Sequence, residues 1–380
     1  MIVSEIKKEI FRNISNIPGW RTKRKLVVIE SDDWGSIRMP SKEAFTNLKV
    51  AGIPVEKNHY NLYDSLESNQ DLELLFETLT KFSDKTGRPP VMTGVNIVAN
   101  PDFEKIKQSG YSQYFYEPFT ETLNHYPEHD NVYQLWKKGI QQRLFVPIFH
   151  GREHLNVQRW LKALQNGNQS TLLAFDQMVT GIPGIGLNNE VVPDFQAAFD
   201  LDTIDDLNYM KEVLKTGLKL FEELYGYQSK YFVPTNGSFN NQLEEDLNIL
   251  GVKYINTAKR QLEPLGNSQY KRNTRFIGQK NNFGQTYITR NCFFEPSSSG
   301  FERPENTDWV NNCLKEIEIA FRWNKPAVIS THRVNYIGFL HPENRERGLA
   351  ALTEILTRML KKWPDLEFVT SVELGEIITN

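Results

Sequence analysis

Three short segments hold the residues best suited to chemistry. The first is Ser31-Asp32-Asp33-Trp34-Gly35, two neighbouring acids directly after an apolar run. Neighbours on an extended chain point to different sides, so one carboxylate can bind a cation while the other stays free as a base. A solvated turn or a helix cap uses the same residue types. The second is His150-Gly151-Arg152-Glu153-His154. Imidazoles four residues apart fall on one face of a helical turn and can reach a common ion. His125 and His129 repeat that spacing, but Pro127 lies between them and no apolar run precedes them. That pair is expected on a surface loop. The third segment is the apolar run 327–331 ending in His332, which alone would equally suit a core histidine.

The setting shared by the three gives them weight. Short unalternating apolar runs at 25–29, 91–98, 144–149, 231–233, 252–255, 287–294, 327–330 and 368–370 suit strands buried on both faces. Helical patterns occupy 72–82, 203–225, 242–250 (with Gly251 as a C-cap), 309–323 and 347–363. The alternation predicts an α/β fold, and about seven or eight strands favour a distorted (β/α) barrel over an open sheet. No Gly-rich dinucleotide turn follows the first run. In a barrel the acids, the histidine pair and the late histidine, each ending a different strand, meet at one mouth. We read 1–380 as one domain with an N-terminal helix over 1–20 and an insertion over about 156–202. The Gly/Pro-rich stretch GIPGIGLNNEVVPD in that insertion is expected to form a long surface loop walling the substrate cleft.

Composition narrows the partners. A net charge of -3 gives a nucleic-acid partner no electrostatic support. Cys292 and Cys313 match no zinc-ligand spacing and are expected reduced. No stretch approaches the roughly 18 apolar residues of a membrane span. The first residues lack the pattern of a secretory signal, and the expected compartment is the cytoplasm. Val3, Ile6, Ile10 and Ile14 recur at helical spacing, with Lys7 and Lys8 between them. Such a stripe can lie on a membrane surface; docking on the protein's own body is the expectation preferred here.

In this order the segments resemble the polysaccharide deacetylase (NodB-like, carbohydrate esterase family 4) superfamily, as a divergent member. The family's two aspartates at a strand end resemble Asp32-Asp33, its H-x-x-x-H motif His150–His154, and its late strand histidine His332. Its F-R-P-P-Y/W-G-like motif resembles residues 232–237, and its aspartate-tryptophan motif Asp308-Trp309. The resemblance covers roughly residues 25–378 and implies a deacetylase-type barrel with one divalent ion, zinc by preference, on Asp33, His150 and His154. It implies Asp32 as base and His332 as acid, and substrate contacts from Trp34, Arg152, Pro234, Asn236, Arg290, Asp308 and Trp309. The implied reaction removes an acetyl group from an N- or O-acetylated sugar or glycan. Val233 departs from the family's motif arginine, which braces the base, and Asn236 from its aromatic wall; Arg290 or Arg152 would have to replace the brace. Two rival expectations stand beside this one. His150–His154 also reads H-x-x-E-H, an inverted zinc-peptidase signature with Glu153 as base, although that signature sits within a helix and Gly151 weakens one. A catalytically silent glycan-binding barrel is the other.

Overall fold

The structure is a computed structural model and describes the backbone of residues 2–380 and the side chains of residues 9–380. Its centre is a nine-stranded parallel sheet built from β1 (Lys25–Trp34), β2 (Met92–Ile97), β3 (Phe145–Gly151), β4 (Tyr231–Phe232), β5 (Tyr254–Asn256), β6 (Thr286–Ile288), β7 (Cys292–Phe293), β8 (Ala327–His332) and β9 (Leu366–Phe368). The strand order is β6-β5-β4-β3-β2-β1-β8-β7, with β9 on the lower part of β1. The run expected over 287–294 is two pieces. β6 pairs with β5, whereas β7, four residues on, pairs with Ile329 and Ser330 of β8. One segment therefore hydrogen-bonds to both ends of the sheet and closes it into a distorted barrel.

β1 shows how sequence becomes layered structure. Leu26 and Val28 face the barrel interior, clustered with Val95, Ile148, Tyr231, Val328 and Leu374. Val27 and Ile29 face outward into the helix-covered core. The same alternation turns Glu30 and then Asp32 inward, one storey at a time. Buried Glu30 is fully partnered: Tyr231 and Ser371 donate to one oxygen at 2.8 and 2.7 Å, and Asn256 and Arg290 to the other at 2.9 and 2.6 Å. An ionised group in a barrel interior needs such a set of donors.

The helices expected from periodicity form within a few residues of their predicted ends, for example Asn69–Thr80, Asp206–Tyr225, Trp309–Arg322 and Pro342–Lys362. The segment 156–202 holds two helices, Val157–Gln165 and Gln169–Asp176, before its loop. That loop is tied down, because the Glu190 carboxylate accepts from the Ser170 hydroxyl at 2.8 Å. The antiparallel pair Arg260–Gly266 and Gln269–Thr274 lacks an apolar run and was not expected. His129 corrects the surface-loop reading of its pair. His125 is exposed, but His129 is buried, with its ring nitrogens 2.6 Å from the Pro127 carbonyl and 3.0 Å from the Leu66 carbonyl.

Candidate metal centre and catalytic mouth

Asp33 follows Asp32 and on a regular strand would point outward. Instead the pairing of β1 with β2 shifts register between Ser31 and Trp34, and Asp33 takes φ +76°. This bulge, with aspartate in the left-handed region that it tolerates better than most residues, turns a second carboxylate into the mouth. The reading that neighbours would face different sides thus fails here, and both acids line one cleft. Trp34 takes the outward position. It is fully buried in the outer core with its indole N–H donating to the Ser31 hydroxyl, and so does not meet substrate.

His150 and His154 do not share a helical turn. β3 runs through His150 to Gly151, which has φ +151°, and an irregular turn follows until the helix beginning at Val157. Val98 and Ala99 both donate backbone N–H groups to the Arg152 carbonyl and hold that turn in place. The result still brings the rings together, with centroids 5.1 Å apart. His150 Nδ1 lies 2.7 Å from the Val233 carbonyl, which fixes Nδ1 as the donor and leaves Nε2 with its lone pair. Asp33 Oδ1 sits 3.6 Å from His150 Nε2 and 3.2 Å from His154 Nε2. Donor atoms bonded at roughly 2.0–2.2 Å to a tetrahedral cation lie about 3.3–3.6 Å apart, so the three residues fit one divalent ion. They form the one such group among the described residues. Burial is the largest influence on His154 and brings its pKa down to about 4, so it is neutral, as a ligand must be. Burial raises the Asp33 carboxyl, but Arg38, donating to its other oxygen at 2.7 Å, and the two imidazoles outweigh that and hold it well below the usual range.

The candidate acid-base pair, Asp32 and His332, stands beside this trio. Arg290 grips both Asp32 oxygens at 2.5 Å. Burial raises Asp32, and Arg290 more than offsets it, so Asp32 is ionised. The brace that Val233 cannot provide comes from the closing segment of the barrel. On the adjacent strand β8, in register with Asp32, His332 places Nε2 3.7 Å from that carboxylate and Nδ1 2.6 Å from Glu295. Burial lowers the His332 pKa, but Glu295 dominates the balance and raises it to about 10. Asn335 donates to the second Glu295 oxygen at 2.7 Å and fixes its orientation.

Asp32, Asp33, His150, His154, His332, Pro234, Asn236 and Arg290 all line a cleft of 590 Å³. Arg152, Asp308 and Trp309 are not among its walls. Arg152 is buried in a bidentate pair with Glu153, at 2.6 and 3.0 Å, and also meets Tyr209 and Thr216. Asp308 caps the helix that Trp309 begins, and the Trp309 indole donates to Ser299. Glu153, held by Arg152, does not face the cleft either, which removes the base that a peptidase would need. Glu30, Arg38 and Glu295 were missed in the sequence. Glu295 directly follows the apolar run 287–294, the same signal that marked the other acids. Arg38 carries no such signal.

The segment expected to wall the cleft does so through Ile182, Pro183, Val192 and Pro193. At the rim, Asn236 donates to Asp194 at 3.1 Å. Asp194→Ala is expected to raise KM about 2–10-fold with kcat little changed, the worth of one hydrogen bond in holding the rim. Steady-state kinetics on the best substrate test this, and an unchanged KM would count against a role for that rim.

No family model matches the chain, and no curated protein matches its sequence. Solved structures that align over most of the chain include an allantoinase, Puue (10% identity, 94% of this chain and 93% of that one, TM-score 0.49). A protein described as a polysaccharide deacetylase from Mycobacterium smegmatis aligns at 10% identity over 95% and 93%, with TM-score 0.45. A CE4 family pseudoenzyme from Bacillus anthracis aligns at 9% identity over 93% and 66%, with TM-score 0.37. What the site can do follows from its own geometry.

Proposed function

We propose that the protein is a metal-dependent hydrolase that removes an acetyl group from an N- or O-acetylated sugar. One observation carries this reading: an ionised, arginine-braced Asp32 and a protonated His332 face each other beside an Asp-His-His trio fit for a cation. Asp33, His150 and His154 would hold one divalent ion, zinc by preference, which when bound acidifies a water and polarises a carbonyl. Asp32 accepts the proton of the attacking water. His332, kept charged by Glu295, gives a proton to the leaving amine or alkoxide as acetate departs. Tyr60, Asn61 and Asn236 offer the polar walls that suit a sugar. The test is acetate release from a panel of N- and O-acetylated sugars, free, nucleotide-linked and polymeric, with metal content measured in parallel. Absence of both bound metal and acetate release across the panel would reject the proposal.

The pH profile gives a sharper check. A general acid must be protonated, so activity should fall as pH rises through the His332 pKa. Glu295→Gln removes the largest of the influences that raise that pKa from the ordinary 6.5 to about 10, with Asp32 and Asp33 still in place. The alkaline limb of kcat/KM is expected to move to lower pH, while the acid limb set by Asp32 stays in place. An alkaline limb at the same pH in the variant would show that His332 is not the acid.

A further inference from the structure

The N-terminal helix Ile2–Ser15 meets the body of the protein with its polar side. Arg12 pairs with Glu316 at 2.7 Å, Glu9 with Lys315 at 2.8 Å, and the Trp323 indole donates to Asn13 at 3.0 Å. This is the reverse of the docking expected from its stripe. Val3 and Ile6 lie outside the described side chains, but Ile10, Phe11 and Ile14 are 53%, 55% and 58% exposed, and Ile17 continues the ridge at 42%. Cations rim it. The Arg260 guanidinium lies over the Phe11 ring, 5.3 Å from its centre, and Arg21 donates to the Ile17 carbonyl at 3.0 Å. On the neighbouring hairpin Arg272 stands opposite Leu262, itself 49% exposed. Among the described residues none of these three arginines pairs with a carboxylate. A patch of this sign is unexpected on a chain of net charge -3.

We propose that this face docks on an anionic lipid bilayer, with the ridge in the acyl boundary and the arginines at the headgroup phosphates. Exposed apolar rows flanked by basic side chains partition in this way. No helix among the described residues is long and apolar enough to cross a membrane, so the contact is interfacial. A second copy of the chain is the poorer occupant, because a two-fold contact would set the same cations against one another. A lateral cleft of 590 Å³ leads from this face, past Phe11, Ile14 and Phe293, to Arg290. Docking therefore turns a side opening of the barrel toward the lipid.

The experiment is flotation of the full chain with phosphatidylcholine vesicles, with and without phosphatidylglycerol. Binding is expected only to the anionic vesicles and should weaken with salt. Phe11→Ser combined with Ile14→Ser is expected to lose about tenfold or more in partitioning. Arg260→Glu is expected to lose about fivefold or more. More than half of Phe11 and of Ile14 is exposed, so any change in the thermal melt should be small beside the loss in partitioning. Phe11→Trp supplies a second reading, with emission shifting to the blue on anionic vesicles alone. Absence of flotation, flotation indifferent to lipid charge or to the variants, or an unshifted tryptophan would overturn the proposal. So would a dimer in sedimentation that Phe11→Ser dissolves, since the occupant would then be a second copy.

Discussion

Asp32→Asn is expected to lower turnover by about 10²–10⁴-fold, the usual worth of a general base, while one equivalent of metal stays bound. Asparagine keeps the shape and one hydrogen bond to Arg290 but cannot take a proton. The control is Glu153→Gln. Because Glu153 and Arg152 form a buried pair, that variant should lose stability, about 3–5 kcal/mol, rather than turnover per folded molecule. Glu153 lies next to a proposed metal ligand in sequence, so the contrast separates proximity along the chain from position in the cleft. Acetate release normalised to the folded fraction measures both. Full turnover in Asp32→Asn, or a larger specific loss in Glu153→Gln, would overturn the assignment.

Asp33→Ala should abolish both metal binding and turnover. Its oxygen is the point nearest to both imidazoles, at 3.6 and 3.2 Å. Without it only the two imidazoles remain, and no carboxylate among the three offsets the charge of a buried divalent ion. The loss of affinity should exceed the roughly 10–100-fold that follows removal of an outer partner. Arg38→Met, which removes the group holding the other Asp33 oxygen, should fall in that smaller range. Metal stoichiometry by mass spectrometry and chelator competition would rank the two. Equal retention of metal in the wild type and Asp33→Ala would end the metal-centre reading.

Much of this site was legible because strand ends advertise themselves. An apolar run closing on acids or histidines places those residues at a barrel mouth, and that logic brings Asp32, Asp33, His150, His154 and His332 into one cleft. Of the two arginines that the resemblance offered as replacement braces, Arg290 grips Asp32 and Arg152 does not. The logic failed where backbone shape departs from the regular element. Asp33 was expected to diverge from Asp32, and His154 to follow His150 on a helix; a bulge and an irregular turn do the work instead. Trp34 follows a ligand directly and Arg152 lies between two, but Trp34 takes the opposite face of β1 and Arg152 sits in the irregular turn after β3, and both end in packed surroundings. Arg38 and Glu30 escaped notice because single charges in a sequence do not announce a buried partner. The hairpin Arg260–Gly266 with Gln269–Thr274 alternates weakly and is mostly polar on one strand, so its pairing is set by tertiary context.

The bulge at Asp33 has a consequence for inheritance. The two proposed jobs, ion holding and proton removal, hang on a single extra residue in β1. Loss of one residue between Ser31 and Trp34 would restore a flat ladder with a single inward acid, in the grip of Arg290, and no carboxylate left for the ion. An in-frame deletion there would therefore cost the lineage both capacities in one event. Point substitutions can erode them one at a time. A descendant that has lost only catalysis should then keep the strand length and change a side chain, whereas one with a shortened strand should have lost the ion as well.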